Sequence, residues 1–253
     1  MLVWKNLKHA KENTGLSYLG MVNNSTKHEK AYKYNEMVYT VYLAPANLSG
    51  YEVCSGRTPE CSELCLNESG RNRINGDTNS INQSRIKKTR LFFENHQFFC
   101  NWIVDDIKRA KIKAEKQNFR FSVRINNTSD ISPETIFIRE NGIKKNILQL
   151  FPDVQFYDYT KIPSRIQLTK KYPNYDITFS YNGYNMEQCI QMLNNNIRVA
   201  MVFNKVPTEY NGFKVIDGDL YDLRYLDPKN VIVGLKFKKV RNKLTTENKF
   251  VIQ

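Results

Sequence analysis

The stretch "MVYTVYLAPANLSGYEVCSGRTPECSELCLNESGR" occupies residues 37–71, and two patterns meet in it. Residues 37–46 alternate and are rich in β-formers, which predicts a strand. Residues 49–71 are full of Ser, Gly, Asn and Pro, which predicts a loop. The loop holds Cys54, Cys61 and Cys65, three of the chain's five cysteines. A strand running directly into a thiol-dense loop governs both the fold and the functional reading.

Downstream, the pattern turns helical from about Ser80 to Lys116. Phe99, Ile103, Ile107 and Ala110 fall at steps of four and three residues, and Trp102 joins that face. "FRFSVRI" (119–125) is the next predicted strand. It ends in "NNTSD", a polar turn placed to cap a helix starting at "SPET". "VQFYDYT" (154–160) is a strand, followed by a weak helix in "SRIQLTKKY". "YDITFSY" (175–181) is a strand, followed by a helix in "NMEQCIQMLNNN". "IRVAMVFN" (197–204) and "VIVGLKFKKV" (231–240) are the last strands. Strands alternating with helices predict an α/β fold with a parallel sheet. Five or six βα units suit a partial or irregular barrel better than a complete eight-stranded one, and a doubly wound open sheet is the alternative. No repeat or low-complexity linker interrupts the chain, so residues 1–253 read as a single domain.

In either architecture the site lies at the carboxyl ends of the strands. Polar residues cluster there: Asn126, Asn127, Ser129 and Asp130; Asp158, Tyr159 and Thr160; Ser180, Tyr181 and Asn182; and Asn204. Asn126, Asn127, Ser129, Tyr159 and Ser180 are candidates for binding a cofactor or substrate. Asp130 and Asp158 are the candidates for proton transfer. In "YDYTK", Tyr157 and Tyr159 share one side of the strand and Asp158 takes the other, and the alternation leaves open which side faces the site.

The net charge is +13, which attracts polyanions non-specifically. The excess is spread along the chain apart from short runs such as "RIKKTR" and "KFKKVRNK". No run of about eighteen apolar residues predicts a membrane span. The amino terminus lacks the apolar segment of a signal peptide. A cytoplasmic protein with reduced thiols follows, and five is an unsuitable number for a disulfide framework.

The C-x6-C-x3-C spacing lacks the C-x2-C pairs common in structural zinc sites. Cys100 and Cys189 fall within helical patterns, where a cysteine usually serves as a small hydrophobe. His9, His28 and His96 offer no evident fourth ligand. Three thiolates with an open fourth position suit an iron–sulfur cluster, most simply 4Fe-4S, with one iron free to bind a small molecule. The alternatives are zinc with three thiolates and a water, or no metal at all. In "DGDLYDLRYLDP" (217–228), Asp217, Asp219 and Asp222 could bind a hard cation. The favoured reading is a turn in which the Asp side chains bond the backbone and Arg224 pairs locally.

A three-cysteine loop after the first strand of a partial barrel resembles radical S-adenosylmethionine (SAM) enzymes. Their usual C-x3-C-x2-C spacing is absent, and "RINNTSD" stands where their GGE element would follow the second strand, so SAM use is left open. A closer resemblance is to the bacteriophage-encoded gp88-like family. It is carried by "TGLSYLGMVN", "YLAPANLSGYEVC", "CLNESGR", "RIKKTRLFF", "VRINNTSDI", "FPDVQFYDYTKIPSR", "ITFSYN" and "VIDGDLYDLRYLDPKNVIVGLKFK". The chain departs from that family where Ser follows Cys54 in place of Pro, and where Asn127 stands for a common Gly. The resemblance implies a phage protein, working in the host cytoplasm, with the three-cysteine loop as its signature. It brings no reaction with it.

The leading expectation is therefore a cluster-bearing enzyme with Cys54, Cys61 and Cys65 as metal ligands, acting on a small molecule or nucleotide. One alternative is a nucleic-acid-binding or replication-associated protein with a structural metal, its binding mainly electrostatic and steeply salt-dependent. The other is cluster-dependent desulfurisation of a thiolated base.

Overall fold

The computed structural model describes residues 2–23, 26–65, 80–238 and 248–253, with the backbone alone at 26 and 27. The end of the cysteine stretch (66–71) and the end of the predicted strand 231–240 lie outside the described residues. Twelve strands are present among them: β1 Gly20–Val22, β2 Glu36–Val41, β3 Arg120–Arg124, β4 Phe137–Glu140, β5 Ile143–Asn146, β6 Gln155–Thr160, β7 Tyr175–Ser180, β8 Val199–Phe203, β9 Glu209–Tyr210, β10 Phe213–Asp217, β11 Ile232–Lys236 and β12 Val251–Ile252. The helices are α1 Leu7–Thr14, α2 Thr26–Glu29, α3 Pro59–Glu63, α4 Ser80–Glu94, α5 His96–Lys116, α6 Ile147–Leu150, α7 Leu168–Lys171 and α8 Met186–Asn194.

The sheet runs β1-β2-β3-β6-β7-β8-β11-β10-β9. From β2 to β10 every neighbouring pair is parallel, and only the edge strands β1 and β9 are antiparallel. This is the expected α/β fold with a large, mostly parallel sheet. From β2 to β11 the strands follow one another in one direction. Crossovers of one hand then place their helices on one face. The order among the described residues is accordingly not doubly wound, because a doubly wound sheet reverses direction at a central switch point.

The helix-covered face is apolar. Tyr39, Val41, Val123, Ile125, Phe156, Tyr175 and Ile177 pack with Phe98, Phe99, Trp102, Ile103 and Ile107 of α5 in one cluster. Phe179, Val199, Met201 and Ile232 pack with Cys189 and Leu193 of α8 in a second. The predicted helical stripe on 80–116 is thus the main core contact. The segment forms two helices because Asn95, at φ −134° and ψ 54°, leaves the helical conformation.

Three local expectations are corrected. The predicted strand 37–46 ends at Val41, before Pro45. "SPET" starts only a 3-10 turn, Pro133–Thr135, and the antiparallel pair β4–β5 follows it in place of a helix. "SRIQLTKKY" forms a 3-10 turn, Pro163–Gln167, and the single turn α7.

β7 and β8 pair only at Phe179–Val199 and Ser180–Ala200. Beyond that point the carboxyl half of β8 is taken up by β12, through Val251–Val202 and Ile252–Phe203. The two central strands therefore part at their carboxyl ends, and residues beside β12 enter the opening.

Candidate functional site

A cavity of about 650 Å³ lies at the carboxyl ends of the parallel strands. Its lining includes Tyr42 beyond β2, Asn126 to Asp130 beyond β3, Tyr159 to Lys161 at β6, Ser180 and Tyr181 at β7, and Leu235 to Lys238 at β11. The cysteine loop closes one side, and Cys54, Cys61 and Cys65 all line the cavity. Each is half-buried, whereas Cys100 and Cys189 are fully buried in the helix-side core.

The cysteine loop is tied to three strand ends. Beyond β3, the Asp130 N–H donates to Val53 O at 2.7 Å, and Cys54 Sγ donates to Thr128 O at 3.8 Å. Beyond β7, Thr58 Oγ1 donates to Asn182 O at 2.7 Å, and Asn182 Nδ2 donates to Gly56 O at 3.3 Å. Thr58 also caps α3, its Oγ1 accepting from the Cys61 N–H. At β6, Gly56 lies directly on Lys161. A Cβ at Gly56 would stand 2.8 Å from Lys161 Cβ and 3.1 Å from its carbonyl carbon, a distance that backbone cannot yield without moving the loop.

All five predicted binding residues, Asn126, Asn127, Ser129, Tyr159 and Ser180, line the cavity, and so does Asp130. Asp158 does not. It projects with Phe156 and Thr160 to the helix side, while Tyr157 and Tyr159 take the opposite face. Asp158 Oδ1 accepts from the Asn126 N–H at 2.8 Å. Its Oδ2 accepts from Asn126 Nδ2 at 3.0 Å and from Tyr175 OH at 3.1 Å. Asn126 Oδ1 in turn accepts from Ser129 Oγ and the Ile131 N–H. Asp158 thus shapes the "NNTSD" turn from behind the wall. Burial pushes its carboxyl up to about 6, against the opposing pull of Asn126 and of Arg165 and Arg124.

Asp130 is also committed. Its Oδ1 is ion-paired with Arg165, and its Oδ2 accepts from the Lys161 N–H at 2.9 Å and from Thr160 Oγ1 at 3.1 Å. This arrangement fixes the wall. With both oxygens held by donors, Asp130 is poorly placed to trade protons with a ligand.

The floor of the cavity was the least legible part. Asp222 sits between Arg124 and His28, ion-paired with the former and 3.2 Å from Nε2 of the latter. Arg124 also lies over the Tyr159 ring, 4.6 Å from its centroid. Burial works most strongly against the Arg124 charge, and Asp222 together with Tyr159, Tyr157 and Asp158 more than restores it. The expected turn in "DGDLYDLRYLDP" is present: the Asp219 N–H donates to Asp217 Oδ1 at 2.8 Å, and Arg224 Nε lies 3.1 Å from Asp227 Oδ2. The segment covers the face of the sheet opposite α5 and α8, with Leu223 packed on Tyr157.

Sequence reasoning also missed Lys161, Gly56, Thr58 and Arg124. Lys161 directly follows the predicted strand 154–160, so its strand-end position was the available signal. Burial pushes the Lys161 ammonium down, but Cys61, Asp130, Cys54 and Cys65 around it outweigh burial and hold it above the ordinary lysine value. Burial pushes the Cys54 thiol up to about 12.

The donor set fits a thiolate-bound metal in kind, with three thiols on one cavity and a lysine among them. The side chains are not drawn together: among the described residues, no group of three or more His, Cys, Asp or Glu is placed to hold a metal ion. No described helix is long and apolar enough to cross a membrane.

The fold and site define an α/β protein with a largely parallel sheet whose strand ends enclose a cavity lined by thiols and cations. Across residues 5–252 the chain matches the family model described as Gene product 88, and it belongs to that phage protein family. Neither the curated proteins nor the solved structures contain a match to it.

Proposed function

We propose that the cavity is the active site of an iron–sulfur enzyme in which Cys54, Cys61 and Cys65 hold the cluster and leave one iron open to a small molecule or nucleotide. The observation that carries this reading is the segregation of the cysteines. The three loop thiols line one cavity, while Cys100 and Cys189 are packed among apolar side chains elsewhere. The sequential parallel order β2-β3-β6-β7-β8-β11, with the cysteine loop after the first of these strands, supports a likeness to the partial barrels of radical SAM enzymes. Such a cluster supplies electron transfer or Lewis acidity at its open iron.

The chain's own contribution is positional. The ties from Thr58, Asn182 and Asp130 hold the loop against the ends of β3 and β7, and Gly56 rests on Lys161 at β6; ligation requires the three thiols to be drawn together. Binding would release the protons of the ligating thiols, because the thiolate is the ligand. Lys161 offsets the negative charge that three thiolates bring. Asn127, Ser129, Tyr159 and Ser180 are the lining residues offered to the substrate, whereas the Asn126 side chain is spent on holding the turn.

Electron paramagnetic resonance of the reduced, anaerobically purified protein tests the reading. The expected result is a cluster signal that changes when a small-molecule ligand occupies the open iron. Stoichiometric zinc with no cluster signal would contradict it.

A further inference from the structure

The charges around the cavity do not balance. Arg124, Lys161, Lys236 and Lys238 line it, with Arg57 ion-paired to Glu52, against the carboxylates of Asp130, Asp219 and Asp222. Two of those carboxylates are already neutralised by arginine, Asp130 by Arg165 and Asp222 by Arg124. Asp219 accepts the backbone N–H of Lys236 at 2.9 Å. The cavity therefore carries an excess of positive charge, and low-dielectric walls concentrate its field.

Lys161 is the centre of that excess. Its backbone is fixed by Asp130 and by the overlying Gly56. Its ammonium, 5.9 Å from the centroid of the Phe250 ring, has no carboxylate within ion-pairing distance among the described residues. An ammonium with no carboxylate in direct contact, carried on a backbone fixed at the cavity wall, suits a phosphate, which lysine binds as a point charge. The cavity lining also includes the aromatic residues Tyr42, Tyr181, Phe237 and Phe250. The volume falls within the range of about 300–1,000 Å³ typical of small-molecule sites.

We propose that the cavity binds an organic phosphate, with the phosphate on Lys161 and a flat apolar portion against Tyr42, Tyr181, Phe237 and Phe250. The phosphate is favoured over a carboxylate because several cations reach one mouth, and a dianion satisfies more than one of them. The inference rests on the cavity being the substrate site, as proposed above, and does not require the cluster.

Calorimetric titration with uridine monophosphate, uridine and inorganic phosphate at low ionic strength tests it. The proteins compared are wild type, Lys161→Gln, Lys161→Arg and the triple variant C54A/C61A/C65A. Chelator-treated wild type serves if the triple variant does not fold. Uridine monophosphate should bind wild type, and loss of the phosphate or of the Lys161 charge should each weaken binding about tenfold or more, as expected for one charge-assisted contact. Lys161→Arg should retain most of the affinity, and removal of thiols or metal should leave it. Equal affinity of wild type and Lys161→Gln for uridine monophosphate would overturn the proposal. So would binding of oligonucleotides alone. A protein without iron that binds through Lys161 keeps this inference and removes the cluster. A protein with iron and no Lys161-dependent binding does the reverse.

Discussion

The two faces of the sheet are built from the same strands and solve different problems. On the helix side, Val123, Phe156, Tyr175 and Ile177 share one apolar cluster with α5, and Val199 and Met201 share another with α8. Stability there comes from removing apolar area from water. On the other side, Arg124, Tyr159, Asp176 and Arg198 meet the Asp217–Asp227 segment. Charges there are cancelled in pairs: Arg124 with Asp222, Arg198 with Asp176, and Arg224 with Asp227. That face leaves Tyr157 OH, Thr178 Oγ1 and Arg198 Nε without a hydrogen-bond partner among the described residues. Unmet buried polar atoms are costly and rare in folded proteins. The contrast separates a face held by apolar burial from one held by paired charges, and the cavity opens at the strand ends where the two meet.

The largest expected effect comes from emptying the apolar face. Trp102 is fully buried against Phe98 and Trp4, so Trp102→Ala should cost about 4 kcal/mol in denaturant unfolding. The polar face should yield a slightly smaller effect by another route. Asp222→Ala leaves Arg124 buried without its partner and should cost about 3 kcal/mol. If Asp222→Ala were neutral, the charge pairs would not be holding that face, and the contrast would fail.

Asp158 sharpens the comparison because it is a carboxylate on the apolar side. Its folded pKa of about 6 lies above the ordinary 3.8, so protonation favours the folded state. That contribution is complete below about 3.8 and is lost as pH rises through about 6. Asp158→Asn should flatten the stability profile in that window and cost roughly 1–2 kcal/mol at neutral pH through the lost hydrogen bonds. Unfolding free energies measured across the window check the sign. A variant with the wild-type slope would show that Asp158 does not titrate as placed.

The six sequential parallel strands were legible because each is a short run of alternating or β-branched residues between polar turns, and the stripe of Phe99, Trp102, Ile103 and Ile107 marked the main helix. Two hairpins were missed although their signal was in the chain. Asn141–Gly142 and Asn211–Gly212 both adopt positive φ, and Asn-Gly is the strongest short-range hairpin signal. The cysteine loop and the strand-end polar set were readable because their position follows from parallel topology alone. Lys161, Gly56 and the Arg124–Asp222–His28 floor were not, because those contacts join residues distant in sequence that only the sheet order brings together. The role of Asp158 depended on the side of β6 it takes, which alternation leaves undecided until the packing of Phe156 fixes it.

The smallest expected stability change is at Gly56. Gly56→Ala forces the loop away from the Lys161 backbone, at a cost on the order of 1 kcal/mol. Its effect on the cavity should be disproportionate, with metal content and phosphate affinity both falling. A variant that retains both would show that the close approach of loop and strand is incidental.

The central claim is that the cavity-lining thiols, and not the buried ones, bind the metal. Iron and sulfide are to be counted in anaerobically purified wild type, in Cys54→Ala, Cys61→Ala and Cys65→Ala, and in Cys189→Ala. The account predicts matching iron and sulfide in wild type, loss on changing any one loop cysteine, and full retention in Cys189→Ala. Full iron in a loop-cysteine variant, or loss of iron in a folded Cys189→Ala protein, would contradict it.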